Sequence, residues 1–174
     1  MTSRPVRYVA LAALALGVVP SMSWGHSVAD AYLVRFASPA PRGEIIISQH
    51  LRRLFWTLGG GQAISYPVAV PKRGKQWQGE TFINAKYVRP AWSPPASVSR
   101  DFPNLPAVIA GGSPHNPMGV RALSLQRSEI AIHGTDMPWS IGKAVSYGCI
   151  RMHNADIRDL YARVNVGTRV IMEP

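Results

Sequence analysis

Cys149 and His133 are the two side chains best suited to nucleophilic chemistry, and sixteen positions separate them. A thiol with an ordinary pKa of about 8.5 is only a few per cent thiolate at neutral pH, so a positioned imidazole that takes its proton is the usual means of activation. The chemistry on offer is attack by sulfur on an acyl carbon. A main-chain carbonyl would fix the ring's tautomer, and the amides of Tyr147, Gly148 and Cys149 in a tight turn would meet the oxyanion, each such donor being worth about 3 kcal/mol. Cys149 is the only cysteine, so it forms no disulfide within the chain. In an oxidising compartment that leaves an intermolecular bridge, an inert buried residue or a nucleophile. Gly148, directly before the sulfur, favours the last, because a residue with no side chain clears room for a substrate backbone.

Arg151, two residues beyond the thiol, carries a fork of donors that suits a substrate carboxylate and equally an internal salt bridge. Ser146 is expected to hydrogen-bond within the turn rather than act as nucleophile. His115 and His153 show no zinc-like spacing to His133 and have no accompanying carboxylate, so no metal is expected, and His50 reads as a surface residue.

These residues need elements to bring them together. Glu129 to Ile132 alternates like a buried strand that delivers His133 to its end, where Gly134 allows a sharp turn. Pro138, Trp139, Ser140 and Gly142 read as a loop, which lets thiol and imidazole converge on one cleft. Upstream, Glu44–Ser48, Leu51–Leu58 and Ala63–Val70 read as strands of a meander with a turn at Gly59-Gly60-Gly61, and Pro67 marks an edge or a bulge. Pro71–Gly79, with Lys72, Arg73 and Lys75, is a basic loop before a strand at Thr81–Val88. Arg89–Pro117 is a long Pro- and Gly-rich segment, the form of a lid or binding wall, and Trp92 suits the wall. Strand-like alternation returns at Arg121–Leu125. After Met152, Asn154 can cap a short helix over Ala155–Arg163 whose Ile157, Leu160, Tyr161 and Val164 share a face, and Thr168–Met172 is a last strand.

Composition sets the setting. Arg4 and Arg7 precede an apolar run from Tyr8 to Val19 that is too short to span a bilayer, which needs roughly 20 apolar residues. Pro20 and the small residues near Gly25 complete the layout of a secretory signal peptide, with cleavage expected after Gly25. Residues 26–43 then form a short lead-in and 44–174 one domain, with no later membrane segment. The chain carries 19 basic and 9 acidic residues, a formal charge of +10 that becomes +8 without Arg4 and Arg7. An excess of this size suits an anionic partner. For an exported protein that partner is cell-wall polymer or anionic lipid rather than nucleic acid.

Ile132-His-Gly-Thr135, Ser140-Ile-Gly142 and Ser146-Tyr-Gly-Cys-Ile-Arg-Met152 resemble the signature of the YkuD-type L,D-transpeptidases, enzymes of peptidoglycan cross-linking. The resemblance extends through Trp92-Ser-Pro-Pro95, Asn104-Leu-Pro106, the Gly-Gly segment ending at Gly119, and Val166-Gly-Thr-Arg-Val170, covering about Glu44 to Met172. It implies a mostly β domain, a sandwich of mixed sheets with a long lid loop and a short C-terminal helix. It places the nucleophile on Cys149 and the base on His133, with Gly134, Ser146, Gly148 and Arg151 around them. The implied reaction is attack on the L-centre carbonyl of diaminopimelate in a tetrapeptide stem, with loss of D-alanine and formation of a thioester. An amine of a neighbouring stem resolves it to a 3→3 cross-link, water makes the enzyme a carboxypeptidase, and a lipoprotein lysine gives anchoring. No cofactor is implied, the location is the periplasm at the wall, and carbapenems would acylate the same thiol. A wall-binding module without activity is the reading from another class. Tyr147 departs from the pattern, since histidine is frequent there and a phenol with a pKa near 10 cannot serve as a base at neutral pH.

Overall fold

The computed structural model describes residues 32–37 and 40–174. The expected signal segment, residues 1–25, lies outside the described residues. Ten strands dominate: β1 (Tyr32–Arg35), β2 (Ile45–Ser48), β3 (Arg53–Gly59), β4 (Gln62–Pro71), β5 (Gly79–Val88), β6 (Arg121–Leu125), β7 (Ala131–His133), β8 (Ala144–Ser146), β9 (Ile150–Met152) and β10 (Arg169–Glu173). Two helices, α1 (Ala96–Asp101) and α2 (Asn154–Arg163), and a 3-10 turn at Pro138–Ser140 complete the described chain.

The mixed-sheet sandwich expected from the sequence is what the chain forms. One sheet runs β1-β4-β3-β2-β10-β5 and the other β5-β6-β7-β9 and back to β4, so β4 and β5 belong to both and the sandwich is closed along both edges. Corners of this kind need a strand that changes partners. In β5 the register shifts between Ile83 and Ala85. In β4 the change falls at Pro67. Residues 62–65 pair with β1, while Val68 and Ala69 pair with β9. A residue without an N–H costs least where one ladder stops and the next begins. β2 with β10, β7 with β9 and β4 with β8 are parallel, and the other pairs are antiparallel.

Between the sheets lie Ile45, Ile47, Leu54, Tyr66, Val68, Ile83, Leu123, Ile132, Ile150, Met152, Val170 and Met172, each 2% exposed or less. From α2, Ile157 and Leu160 join them, as does Val164 just beyond it. Lys86 donates from its ammonium to the carbonyls of Tyr161 and Val164 at 2.7 and 2.6 Å, a cation on the orphan carbonyls of the helix C-terminus.

Three local expectations change. β1 falls inside the segment read as a lead-in and adds an edge strand. Glu129 does not begin β7, because it sits in a tight turn at φ 59°, and Ile130 N–H bonds the Arg127 carbonyl at 3.1 Å. Asn154 is not the cap of α2. His153 occupies that place without a side-chain cap bond, and Asn154 is used elsewhere.

Candidate active site

β7 and β9 run side by side in parallel, with Ile132 opposite Ile150 and His133 opposite Arg151. Side chains alternate across a sheet with period two. Ile132, Ile150 and Met152 point into the core, so His133, Arg151 and Cys149, which precedes Ile150, share the opposite face. That face opens on a cleft of about 620 Å³ lined by His133, Ser146, Tyr147, Cys149 and Arg151. The lid segment roofs it with Trp92, Val98, Phe102 and Ile109. A backbone bridge between Trp92 and Ile109 closes the lid on itself, and the buried Asn116 side chain donates to the carbonyls of Pro90, Ile109 and Ala110.

His133 is buried, and its Nδ1 lies 2.7 Å from the Gly134 carbonyl. That partner can only accept, so Nδ1 carries the hydrogen and Nε2 is left as the base. Burial first, then the Arg151 charge, pulls the imidazole down to about 4, against the smaller opposing effect of the Gly134 and Pro117 carbonyls. The ring is therefore neutral at neutral pH. Cys149 is half-buried. Its sulfur lies 3.6 Å from the Glu129 carbonyl, which accepts the thiol hydrogen. Burial pushes the thiol up, opposed by the Ala131 amide and by Arg151, and Glu129 adds a smaller rise. The resting pair is thus a neutral thiol and a neutral imidazole in one cleft, with the thiol hydrogen on Glu129.

Gly148 is required by its backbone, and a side chain there would also displace the tip of Ile130. Its φ is 132°, a region that side chains avoid, and a Cβ there would lie 2.4 Å from Ile130 Cδ1. Its amide, expected as an oxyanion donor, also has a partner within the turn. Ser146 Oγ accepts it at 3.3 Å while donating to the Cys149 carbonyl at 2.5 Å, and the Gly148 carbonyl accepts Trp77 Nε1 at 2.9 Å. Ser146 thus braces the turn from within, as its position suggested.

Gly134 serves a purpose other than a sharp turn. A Cβ on it would lie 2.2 Å from Asn154 Oδ1. Asn154 takes the Val120 and Thr135 amides on Oδ1 at 3.3 and 3.2 Å and donates to the Thr135 carbonyl at 2.9 Å, so it pins the segment just after His133. The lack of a side chain at 134, and likewise at Gly119, where a Cβ would lie 2.3 Å from the same oxygen, admits this close approach. The role was hidden in the sequence because Asn at the start of a helix reads first as a cap.

Tyr147 points to the lid. Its hydroxyl donates to Asp101 Oδ2, and the Lys72 ammonium lies 3.6 Å from its ring centroid and 3.7 Å from Asp101. Phe102 meets its ring edge-on at 6.4 Å. The basic loop and the lid therefore both close on the residue beside the thiol. Arg151 makes no side-chain hydrogen bond or ion pair among the described residues, and among these residues no three His, Cys, Asp or Glu side chains gather as a metal site.

The architecture and this cleft define a β-sandwich with a histidine at the end of one interior strand and a cysteine just before the strand beside it. Residues 42–172 match the YkuD L,D-transpeptidase catalytic domain, and the chain belongs to that family. It is 38% identical over 136 residues to the probable L,D-transpeptidase YbiS of Escherichia coli K12, covering 74% of this chain and 43% of that one. With YkuD of Bacillus subtilis it shares 55% identity over 58 residues, 33% of this chain and 35% of the relative. The chain thus spans less than half the length of these relatives. In three dimensions it is similar to the catalytic domain of an L,D-transpeptidase from Enterococcus faecium, at a TM-score of 0.60 and 15% identity over 78% of this chain and all of that one. A Mycobacterium tuberculosis L,D-transpeptidase gives a TM-score of 0.56 at 15% identity over 75% and 57% of the two chains. At that identity the likeness shows the fold alone.

Proposed function

We propose that the chain is an exported peptidoglycan L,D-transpeptidase in which Cys149 attacks the L-centre carbonyl of diaminopimelate in a tetrapeptide stem. The observation that carries this reading is the presence of Cys149 and the tautomer-fixed His133 on one cleft face of a family member. Nε2 of His133 takes the thiol proton as sulfur bonds to the carbonyl carbon, and the same proton goes to the departing D-alanine amine as the C–N bond breaks. A thioester on Cys149 remains. The amides of Tyr147, Gly148 and Cys149 are the turn's donors for the oxyanion, with the Gly148 amide steadied at 3.3 Å by Ser146 Oγ before substrate arrives. Arg151 offers its unengaged fork to a stem carboxylate, and Trp92 in the lid provides an apolar wall.

Transfer of the acyl group to an amine of a second stem gives a 3→3 cross-link. Transfer to water or to a lipoprotein lysine uses the same thioester. The expected place of action is the periplasm, on the wall. Incubation of the purified protein with a carbapenem should give a covalent adduct by intact mass, and Cys149→Ala should abolish it. An adduct that survives the substitution, or tetrapeptide muropeptides left unchanged by the unmodified protein, would overturn the reading in favour of a wall-binding module.

A further inference from the structure

Asp136 is a carboxylate in the cleft with no assigned part in the acylation step. The chain on either side of it is held fast. Thr135 is bonded to Asn154 through both its amide and its carbonyl, and the Met137 amide donates to Thr135 Oγ1 at 3.0 Å. Its Oδ1 is buried and has no hydrogen-bond partner among the described residues. A buried carboxylate oxygen without a donor is costly, so a fold that holds one rigidly is complementary to a donor brought by something else.

The position of Asp136 says what kind of donor. It lines the cleft that contains Cys149 and His133, and it also lines a neighbouring cavity of about 570 Å³ bordered by Arg89, Ser113, Asn116 and Asn154. The carboxylate therefore stands where the second space meets the reacting groups. Arg151 faces the same cleft and its charge acts on Asp136, but no ion pair within 4.0 Å joins them, so the buried Oδ1 keeps its lone pairs for another donor. Glu129 also borders the cleft, but its side chain is exposed and screened by water.

We propose that Asp136 receives the ammonium group of the acyl acceptor and so directs the thioester toward a cationic amine and away from water. The inference rests on the transpeptidase reading and assigns the residue that selects its second substrate. An aliphatic ammonium with a pKa near 10 arrives protonated at neutral pH. Held on Asp136, it sheds one proton to solvent, and as the freed nitrogen lone pair forms the C–N bond at the thioester carbonyl, Nε2 of His133 takes the second proton from the now acidic nitrogen. The C–S bond then breaks and the sulfur recovers that proton from His133. An amide and a free thiol result, with one proton released for each ammonium consumed.

The test is the partition of the thioester, measured on the full chain by chromatography and mass spectrometry of the products from a tetrapeptide donor. The ratio of aminolysis to hydrolysis does not depend on how fast the thioester forms, so it isolates the second step. With an acceptor stem bearing a cationic amine, Asp136→Asn should lower that ratio about ten-fold, and Asp136→Glu should recover part of the loss. Hydroxylamine, which is neutral at pH 7, should give the same ratio in all three proteins. An unaltered ratio for the cationic acceptor, or an equal fall for both nucleophiles, overturns the role of Asp136 while leaving the Cys149 chemistry intact. Absence of any thioester in the unmodified protein overturns both.

Discussion

His133 shows how one buried ring ties protonation to stability. Burial with Arg151 nearby holds the imidazole at about 4, against about 6.5 in the unfolded chain, so the ring is unprotonated at neutral pH, as the proposed base must be. The consequence for stability has a definite sign. Between pH 6.5 and 4 the unfolded chain takes up a proton that the native ring refuses, so the stability present above pH 6.5 falls by about 3 kcal/mol as the pH drops through this window. Urea unfolding at pH 7 and near pH 4 should show that loss, and His133→Gln should lessen it by about this amount. An identical pH dependence in the variant would mean that the ring is not the buried neutral group described here. That a histidine and a cysteine would share one cleft was legible in their types and spacing. That both rest neutral was not, because it depends on desolvation by residues distant in sequence.

At the scale of elements, β7 and β9 fix which side chains share the cleft, and the lid decides what reaches them. Among the described residues, the side-chain polar contacts of α1 beyond the lid are those of Asp101 with Tyr147 and Lys72, and none of its residues is buried. An element held so lightly belongs to the low-stability end of a fold. Tyr147→Phe keeps the ring beneath Lys72 and against Phe102 but removes the tie to Asp101. Its melting temperature should hardly move. Alkylation of Cys149 by a bulky maleimide should quicken several-fold relative to iodoacetamide, and Asp101→Asn should act in the same direction. An unchanged ratio of the two rates in both variants would show that the tie does not hold the lid. The sequence marked Tyr147 as a departure from the family and the 71–79 loop as basic, yet gave no sign that the two meet. Residues 72, 101 and 147 are joined only by the closing of the sheets.

At the scale of the molecule, the excess of 19 basic over 9 acidic residues spreads along the chain and suits a polyanionic surface. Retention of the purified protein on sacculi should weaken as salt rises from about 0.1 to 1 M, which shortens the Debye length from about 10 to 3 Å. Retention that ignores salt would assign binding to the apolar cleft instead. Most strands, the lid segment and α2 were readable because alternation, helical spacing and Pro or Gly breaks are local patterns, and the repeated motif residues marked the family. Closure of the sandwich through β4 and β5, the bond from the Gly148 amide to Ser146, the clamp by Asn154 and the exposure of Asp136 to two cavities came only from the tertiary structure. Each depends on which distant strand lies alongside, and a linear pattern of side chains carries no record of that distance.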